Sequence, residues 1–204
     1  ISREEQDLFA YHSQMKATKA QENGRLAEEI SEIYIPQRKG EDLIIKKDEF
    51  IKPTTTLEIL AKLRPAFLKE NGTVTAGNSS GLNDGAAALI IASESAVKAQ
   101  GLSPLVRIVG AAVAGVEPRI MGIGPVKAIP KALKQAGLTK DQLDWIELNE
   151  AFAAQALAVI RDCGLDPSKV NPLGGAIALG HPLGATGAVR TATIVHGMQR
   201  TKQK

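Results

Sequence analysis

One histidine does most to limit what this chain can be. His181 stands in the stretch Asn171 to Gly187, NPLGGAIALGHPLGATG, among Gly174, Gly175, Gly180, Gly184 and Gly187, and Pro182 follows it directly. Glycines let a backbone take positive φ and come close to a ligand or to another segment. Proline fixes its own φ and confines the residue before it. Together they hold the imidazole on a stiff loop just ahead of a helix. A dinucleotide loop, a phosphate loop and an acyl-transfer site can all use such glycines, but their spacings differ. A Rossmann loop needs G-x-G-x-x-G after a strand and an acidic residue about twenty positions later. Here the order is G-H-P-L-G-A-T-G, and no acidic residue follows Asp166. The G-K-[ST] of a Walker loop is absent. Both nucleotide readings are therefore weak. The functional reading is a histidine that takes a proton from a thiol or stabilises an enolate oxygen. His12 and His196 have ordinary helical settings and read as structural.

A second stretch bears on the chemistry. Asn149-Glu150-Ala151-Phe152 lies where a strand is expected to end and a helix to begin, the usual place for ligand sites in open α/β sheets. Two readings compete. In the plain one, Asn149 caps the helix and Glu150 favours the positive end of its dipole. In the functional one, the Asn149 amide points a donor at developing negative charge, directly or through a water.

The rest of the chain sets the scaffold. Ser2 and Glu5 form a capping box for an opening helix. Short β-like pieces are expected at Glu32 to Ile35 and Leu43 to Ile45. A helix follows with Thr55 and Glu58 as its box and Leu57, Leu60 and Leu63 on one face. Gly72 to Gly81 is a turn-rich loop. Ala86 to Ala92, AAALIIA, reads as a strand buried on both faces. A short helix runs from about Ser93 to Gln100 and stops at Gly101. Leu105 to Ala114 reads as a strand. Pro125 opens a helix that stops at Gly137. Asp144 to Leu148 is expected as a strand, Asn149 to Asp162 as a helix, and a last helix runs to about Gln199 before a basic tail, Arg200 to Lys204. Strands alternating with helices predict an α/β fold.

Composition excludes several classes. Hydrophobic residues make up 44% of the 204 positions, enough for a core, and aromatics only 3%. Scarce aromatics argue against a stacking platform for single-stranded nucleic acid. A net charge of +3 is not a nucleic-acid footprint. Lys46-Lys47 and the tail read as solvated surface, or at most as attractors of an anionic ligand. A single cysteine, Cys163, rules out an intrachain disulfide framework and fits a reducing compartment. No signal peptide or membrane-spanning apolar run is visible. A soluble, intracellular protein without membrane or nucleic-acid partners is expected.

Taken together, NEAFAAQ from Asn149, NPLGGAIALGHPLGATGA from Asn171, GTVTAGNSSGLNDGAAALIIAS from Gly72 and SREEQD from Ser2 resemble the thiolase family over essentially the whole chain. The resemblance implies a partial thiolase-like fold of α-β-α-β-α layers. Residues 1–83 would be part of the CoA-gripping loop domain. Residues 84–204 would supply the last strand region of the first half and a truncated carboxyl-terminal half. It also implies acyl transfer: thiolytic cleavage of a 3-ketoacyl-CoA by CoA, or the reverse condensation, with CoA and acyl-CoA as substrates and no cofactor or metal. His181 would activate the nucleophilic cysteine and help form an oxyanion hole. Asn149 would complete that hole by holding a water. Ser80, Phe67, Ala76 and Lys52 would lie along the CoA channel. Phe152 and Met121 would border the acyl pocket. At Lys52 relatives often carry arginine, and lysine lacks the bidentate fork.

Both catalytic cysteines of the family fall outside these 204 residues, and Cys163 matches neither motif. The expectation is a fragment of about half a thiolase that does not turn over alone, with open sheet edges that leave it marginally stable or prone to aggregate. Pro172-Leu173 and the Leu183 and Thr186 variants lean toward the degradative β-oxidation enzymes over the acetoacetyl-CoA thiolases. The whole protein would be a homodimer or homotetramer, cytoplasmic in a bacterium and mitochondrial or peroxisomal in a eukaryote. Two rivals of other classes stand beside this reading. One is a non-catalytic acyl-CoA-binding module, and the other is a nucleotide-binding oxidoreductase.

Overall fold

The computed structural model describes residues 1–202. Its spine is α1, Arg3–Glu22, capped as the sequence predicts. Glu5 N donates to Ser2 Oγ (3.1 Å), and Ser2 N donates to Glu5 Oε2 (2.7 Å). The buried face of α1 is small and polar rather than apolar: Gln6, Asp7, Ala10, Ser13, Gln14, Ala17 and Ala20. Small side chains let neighbours approach closely. At Gly174 (φ 86°) a Cβ would collide with Ala17 and with the backbone of the same helix turn, so only glycine fits there.

Around this helix lie α2 (Leu57–Ala61), α5 (Ala153–Cys163) and α6 (Ala176–Leu179). They share a core of Ala10, Leu60, Ala153 and Ile177. A second cluster gathers Leu148, Ala156, Val159, Ile160, Leu165 and Val170 under α5. There α4 (Gly124–Ala136) adds Val126 and Ile129. The last helix, α7 (Thr186–Thr201), lies against Trp145, where Gly197 leaves room for the indole ring.

Several boundaries fall as expected. α3 (Glu94–Gln100) is capped by Ser93 and ends at Gly101 in the left-handed region, and α4 ends likewise at Gly137. β1 (Ile33–Ile35) and β2 (Leu43–Ile45) pair antiparallel, Tyr34 facing Ile44. The tail expectation is met only in part. Arg200 pairs with Glu28 (2.7 Å), while Gln203 and Lys204 lie outside the described residues.

Other expectations are corrected. The α2 cap is Thr56, whose side chain accepts from Ile59 N, and Thr55 instead donates to Lys52 O. Ala86 to Ala92 and Leu105 to Ala114 form no strand. Among the described residues the only sheet is β1–β2. A strand is defined by backbone hydrogen bonds to a neighbouring strand, and among the described residues none lies beside these segments. Ala86 to Ala92 is not buried on both faces either, since Ile90 is 97% exposed, and in the second segment Val113 is 90% exposed. The second segment does rest on α4, where Gln135 accepts from Ala111 N and Gly110 packs closely. Asp144 to Leu148 shrinks to one parallel bridge, Ile146 with Val170. The helix expected from Asn149 begins at Ala153.

Candidate active site

The delayed start of α5 removes the capping reading of Asn149. The cap position is Phe152, which has no side-chain cap bond, so Asn149 is not the cap. A backbone group from a distant loop does that work: Asn78 O accepts from Ala153 N (2.9 Å). The same loop runs antiparallel to the chain before α5. Ser79 bridges Phe152, and both the amide and the hydroxyl of Ser80 donate to Ala151 O (3.0 and 3.2 Å).

That loop is fixed by Asn78, which is fully buried. Its Oδ1 accepts from Thr75 N (2.8 Å). Its Nδ2 donates to Asp7 Oδ1 (2.9 Å) on α1 and to Thr73 O (3.0 Å). A buried amide with its groups paired holds one geometry, because each unmade bond would cost about 1–3 kcal/mol.

Glu150 anchors the other side. It is 2% exposed. Its carboxylate accepts from Ser13 Oγ (2.6 Å), Asn171 Nδ2 (2.8 Å) and Ile177 N (3.3 Å). Burial pushes its carboxyl upward, while the bonds from Ser13 and Asn171 oppose the shift. A Cβ at Gly175 would run into that carboxylate, which accounts for the glycine. Asn171, at φ 45°, sits in the left-handed region that Asn tolerates better than most residues. It accepts from Leu148 N (2.8 Å) and donates to Leu148 O (2.7 Å). Leu148 and Glu150 are thus pinned on either side of Asn149.

Opposite Asn149 stands His181. Asn149 Nδ2 and His181 Nε2 are 3.2 Å apart, and His181 Nδ1 is 2.7 Å from Thr186 Oγ1. Asn149 Oδ1 is buried without a partner among the described residues. The histidine loop is backed by the segment after Ser80. Gly180 abuts Asn83, and Gly85 abuts Pro182. An open groove of about 450 Å³ runs between Asn83 to Ala87 and Pro182 to Ala188.

The other expected residues divide into two groups. Phe67 and Phe152 meet edge to face (centroids 6.2 Å, 70°), and Ser80 is hydrogen-bonded to the residue beside Phe152. Lys52 Nζ lies 4.9 Å from the Phe50 ring centroid, and that ring packs on Gly81. Phe67, Phe152 and Ser80 thus lie together, and Lys52 reaches the Ser80 loop through Phe50 and Gly81. Ala76 and Met121 are exposed, Met121 by 75%. Met121 sits on the 3-10 turn Pro118–Ile123, whose Gly122 abuts Gln155 of α5. Cys163 packs against the cluster under α5, and burial followed by Asp162 pushes its thiol up. It is no activated nucleophile. Sequence reasoning missed Ser13, Asn171 and Thr186 as partners of the site. Asn171 alone left a trace, an Asn-Pro turn signal. A serine inside a helix leaves none.

This arrangement belongs to a known family. The model of the "Thiolase, C-terminal domain" matches residues 102–204, and that of the "Thiolase, N-terminal domain" matches residues 1–95. The chain is 55% identical to a β-ketoadipyl-CoA thiolase of Acinetobacter baylyi, over all of this chain and 51% of that protein. It is similar to the crystal structure of the Bacillus anthracis acetyl-CoA acetyltransferase, with a TM-score of 0.96 and 48% identity over all of this chain and 51% of that one. It is also similar to human mitochondrial 3-ketoacyl-CoA thiolase in complex with CoA, with a TM-score of 0.90 and 47% identity over all of this chain and 50% of that one. The chain belongs to the thiolase family of acyltransferases and spans about half the length of these relatives.

Proposed function

We propose that this chain carries the oxyanion-hole pair and much of the CoA channel of a thiolase that cleaves 3-ketoacyl-CoA with CoA, giving acetyl-CoA and a shortened acyl-CoA in fatty-acid β-oxidation. The observation that carries the reading is the His181–Asn149 pair at 3.2 Å, set beside the surface of Ser80, Phe152 and Phe67. His181 Nε2 is the base toward a thiol and then a donor to the oxyanion. Asn149 completes the oxyanion hole by holding a water. Residues 1–83 supply the CoA grip through Ser80, Phe67, Ala76 and Lys52. Phe152 and Met121 border the acyl group.

Covalent transfer needs an activated thiolate, and the one cysteine, Cys163, is held in packing. The chain by itself is therefore inactive, and a nucleophile must come from outside these residues. The whole protein acts as a homodimer or homotetramer without a cofactor. It is cytoplasmic in a bacterium and mitochondrial or peroxisomal in a eukaryote. Condensation of two acetyl-CoA is the second reading, supported by the fit to the Bacillus anthracis acetyl-CoA acetyltransferase.

Calorimetric titration with CoA, with NADH as comparison, tests the proposal. The expected result is saturable CoA binding that is weakened at least about tenfold, a loss of about 1.4 kcal/mol, by Ser80→Trp, with no heat from NADH. A folded chain indifferent to CoA would overturn the channel assignment. Preference for NADH would restore the nucleotide-binding alternative.

A further inference from the structure

His181 is held at both nitrogens, and the two contacts are not equivalent. On the Nδ1 side the partner is Thr186 Oγ1, at 2.7 Å. Thr186 is itself 8% exposed, so water has little access to its hydroxyl. The hydroxyl also lies 3.0 Å from Pro182 O. A carbonyl oxygen can only accept, and a threonine hydroxyl has one proton to give. Pro182 O also accepts from Ala185 N and Thr186 N (2.8 Å each), so the group opposite sets the direction. That group is the Asn149 amide nitrogen, 3.2 Å from Nε2, a donor that needs a lone pair to meet. Nε2 is therefore bare in the neutral ring, and Nδ1 carries the proton and donates to Thr186 Oγ1.

We propose that Thr186 is a positioning residue that fixes His181 in its Nδ1–H tautomer and so keeps the Nε2 lone pair turned toward the Asn149 surface. The role rests on the acyl-transfer reading above. A thiol brought to Nε2 transfers its proton there: the S–H bond breaks, an N–H bond forms and the sulfur keeps the electron pair. The resulting imidazolium retains its Nδ1–H bond to Thr186 Oγ1. Its new Nε2–H faces the point where an oxyanion would develop. The opposite tautomer presents an N–H to the thiol and cannot accept its proton. The Pro182 ring stiffens the loop that carries His181.

The tautomer can be read directly without substrate. Two-bond 1H–15N correlation spectra of the chain labelled at the imidazole nitrogens, recorded where the ring is neutral, separate a bare nitrogen from a protonated one. His181→Gln assigns the signals against His12 and His196. The parent is expected to show a bare Nε2 and a protonated Nδ1, the form that free histidine disfavours. Thr186→Ser keeps the hydroxyl and should keep that form. Thr186→Val keeps the shape, loses the hydroxyl and should shift the population toward Nε2–H. A parent with protonated Nε2 would overturn the proposal. So would a folded Thr186→Val that leaves Nδ1–H unchanged, or a folded Thr186→Ser that loses it. A chain with the expected tautomer that fails to bind CoA would count against the proposed function and leave the tautomer assignment standing.

Discussion

In the stretch Ala86 to Ala92, Ile90 and Ile91 stand 97% and 75% exposed, whereas in the stretch Gly174 to Gly180, Ile177 and Ala178 are 2% and 0% exposed. Both stretches are apolar. Among the described residues the first has no hydrogen-bonded strand alongside, and beyond the groove that Ala86 and Ala87 share with the histidine loop its side chains stay open. The second is enclosed because polar side chains draw its neighbours together: Ser13 donates to Glu150, Gln14 to Ile177 O, and Arg190 to Gly174 O. Apolar composition supplies the driving force for burial, but here the paired polar groups fix which surfaces meet. The site residues lie in the second region, and His181 and Asn149 take their positions from it.

Removing the centre of that polar network should therefore have the largest effect. Glu150→Ala leaves Ser13 Oγ and Ile177 N without that acceptor and Asn171 Nδ2 with Leu148 O alone. It is expected to lower unfolding stability by about 3 kcal/mol, read by urea denaturation. A loss under 1 kcal/mol would mean that packing, not the network, holds the region together.

A moderate effect is expected at the edge of the same region. Burial raises the Glu29 carboxyl to about 7, against the bond from Thr193. Below the unfolded value of 4.5 both states bind the proton. Between 4.5 and about 7 the unfolded state releases it first, so stability falls as pH rises through that window and then levels off. Glu29→Gln should flatten this slope and melt above the parent at pH 8. An unchanged slope would place the pH dependence on another carboxyl, such as Asp48 or Glu147, both also raised by burial.

The smallest effect belongs to the unpartnered region. Ile90→Lys should change monomer stability by no more than about 0.5 kcal/mol while reducing aggregation, read by light scattering. A large destabilisation would show that Ile90 is buried in solution.

What the sequence disclosed follows the same division. Local signals were legible: the Ser2–Glu5 box, the glycine stops at Gly101 and Gly137, and the His-Pro pair among its glycines. Each acts within a few residues. The expected strands at Ala86 to Ala92 and Leu105 to Ala114 were read from apolar runs, and a run says nothing about whether a neighbour is present. The capping reading of Asn149 arises because a short polar residue stands before a helical pattern. The real acceptor is Asn78 O, brought in by an unrelated loop. Ser13, Asn171 and Thr186 came to the site through tertiary contacts that no local pattern encodes. Thr186 was noted only as a variant position.

Hydrogen–deuterium exchange along the chain tests the contrast between the two regions most directly. The amides of Leu148, Ala153 and Ile177, bonded to Asn171, Asn78 and Glu150, should exchange slowly, near the limit set by global unfolding. Those of Ala86 to Ala92, and of Leu105 to Ala114 apart from Ala111, which is bonded to Gln135, should exchange close to the rate of an open chain. Protection of the apolar stretches equal to that around Asn149 and His181, or fast exchange at Leu148 and Ile177, would contradict it.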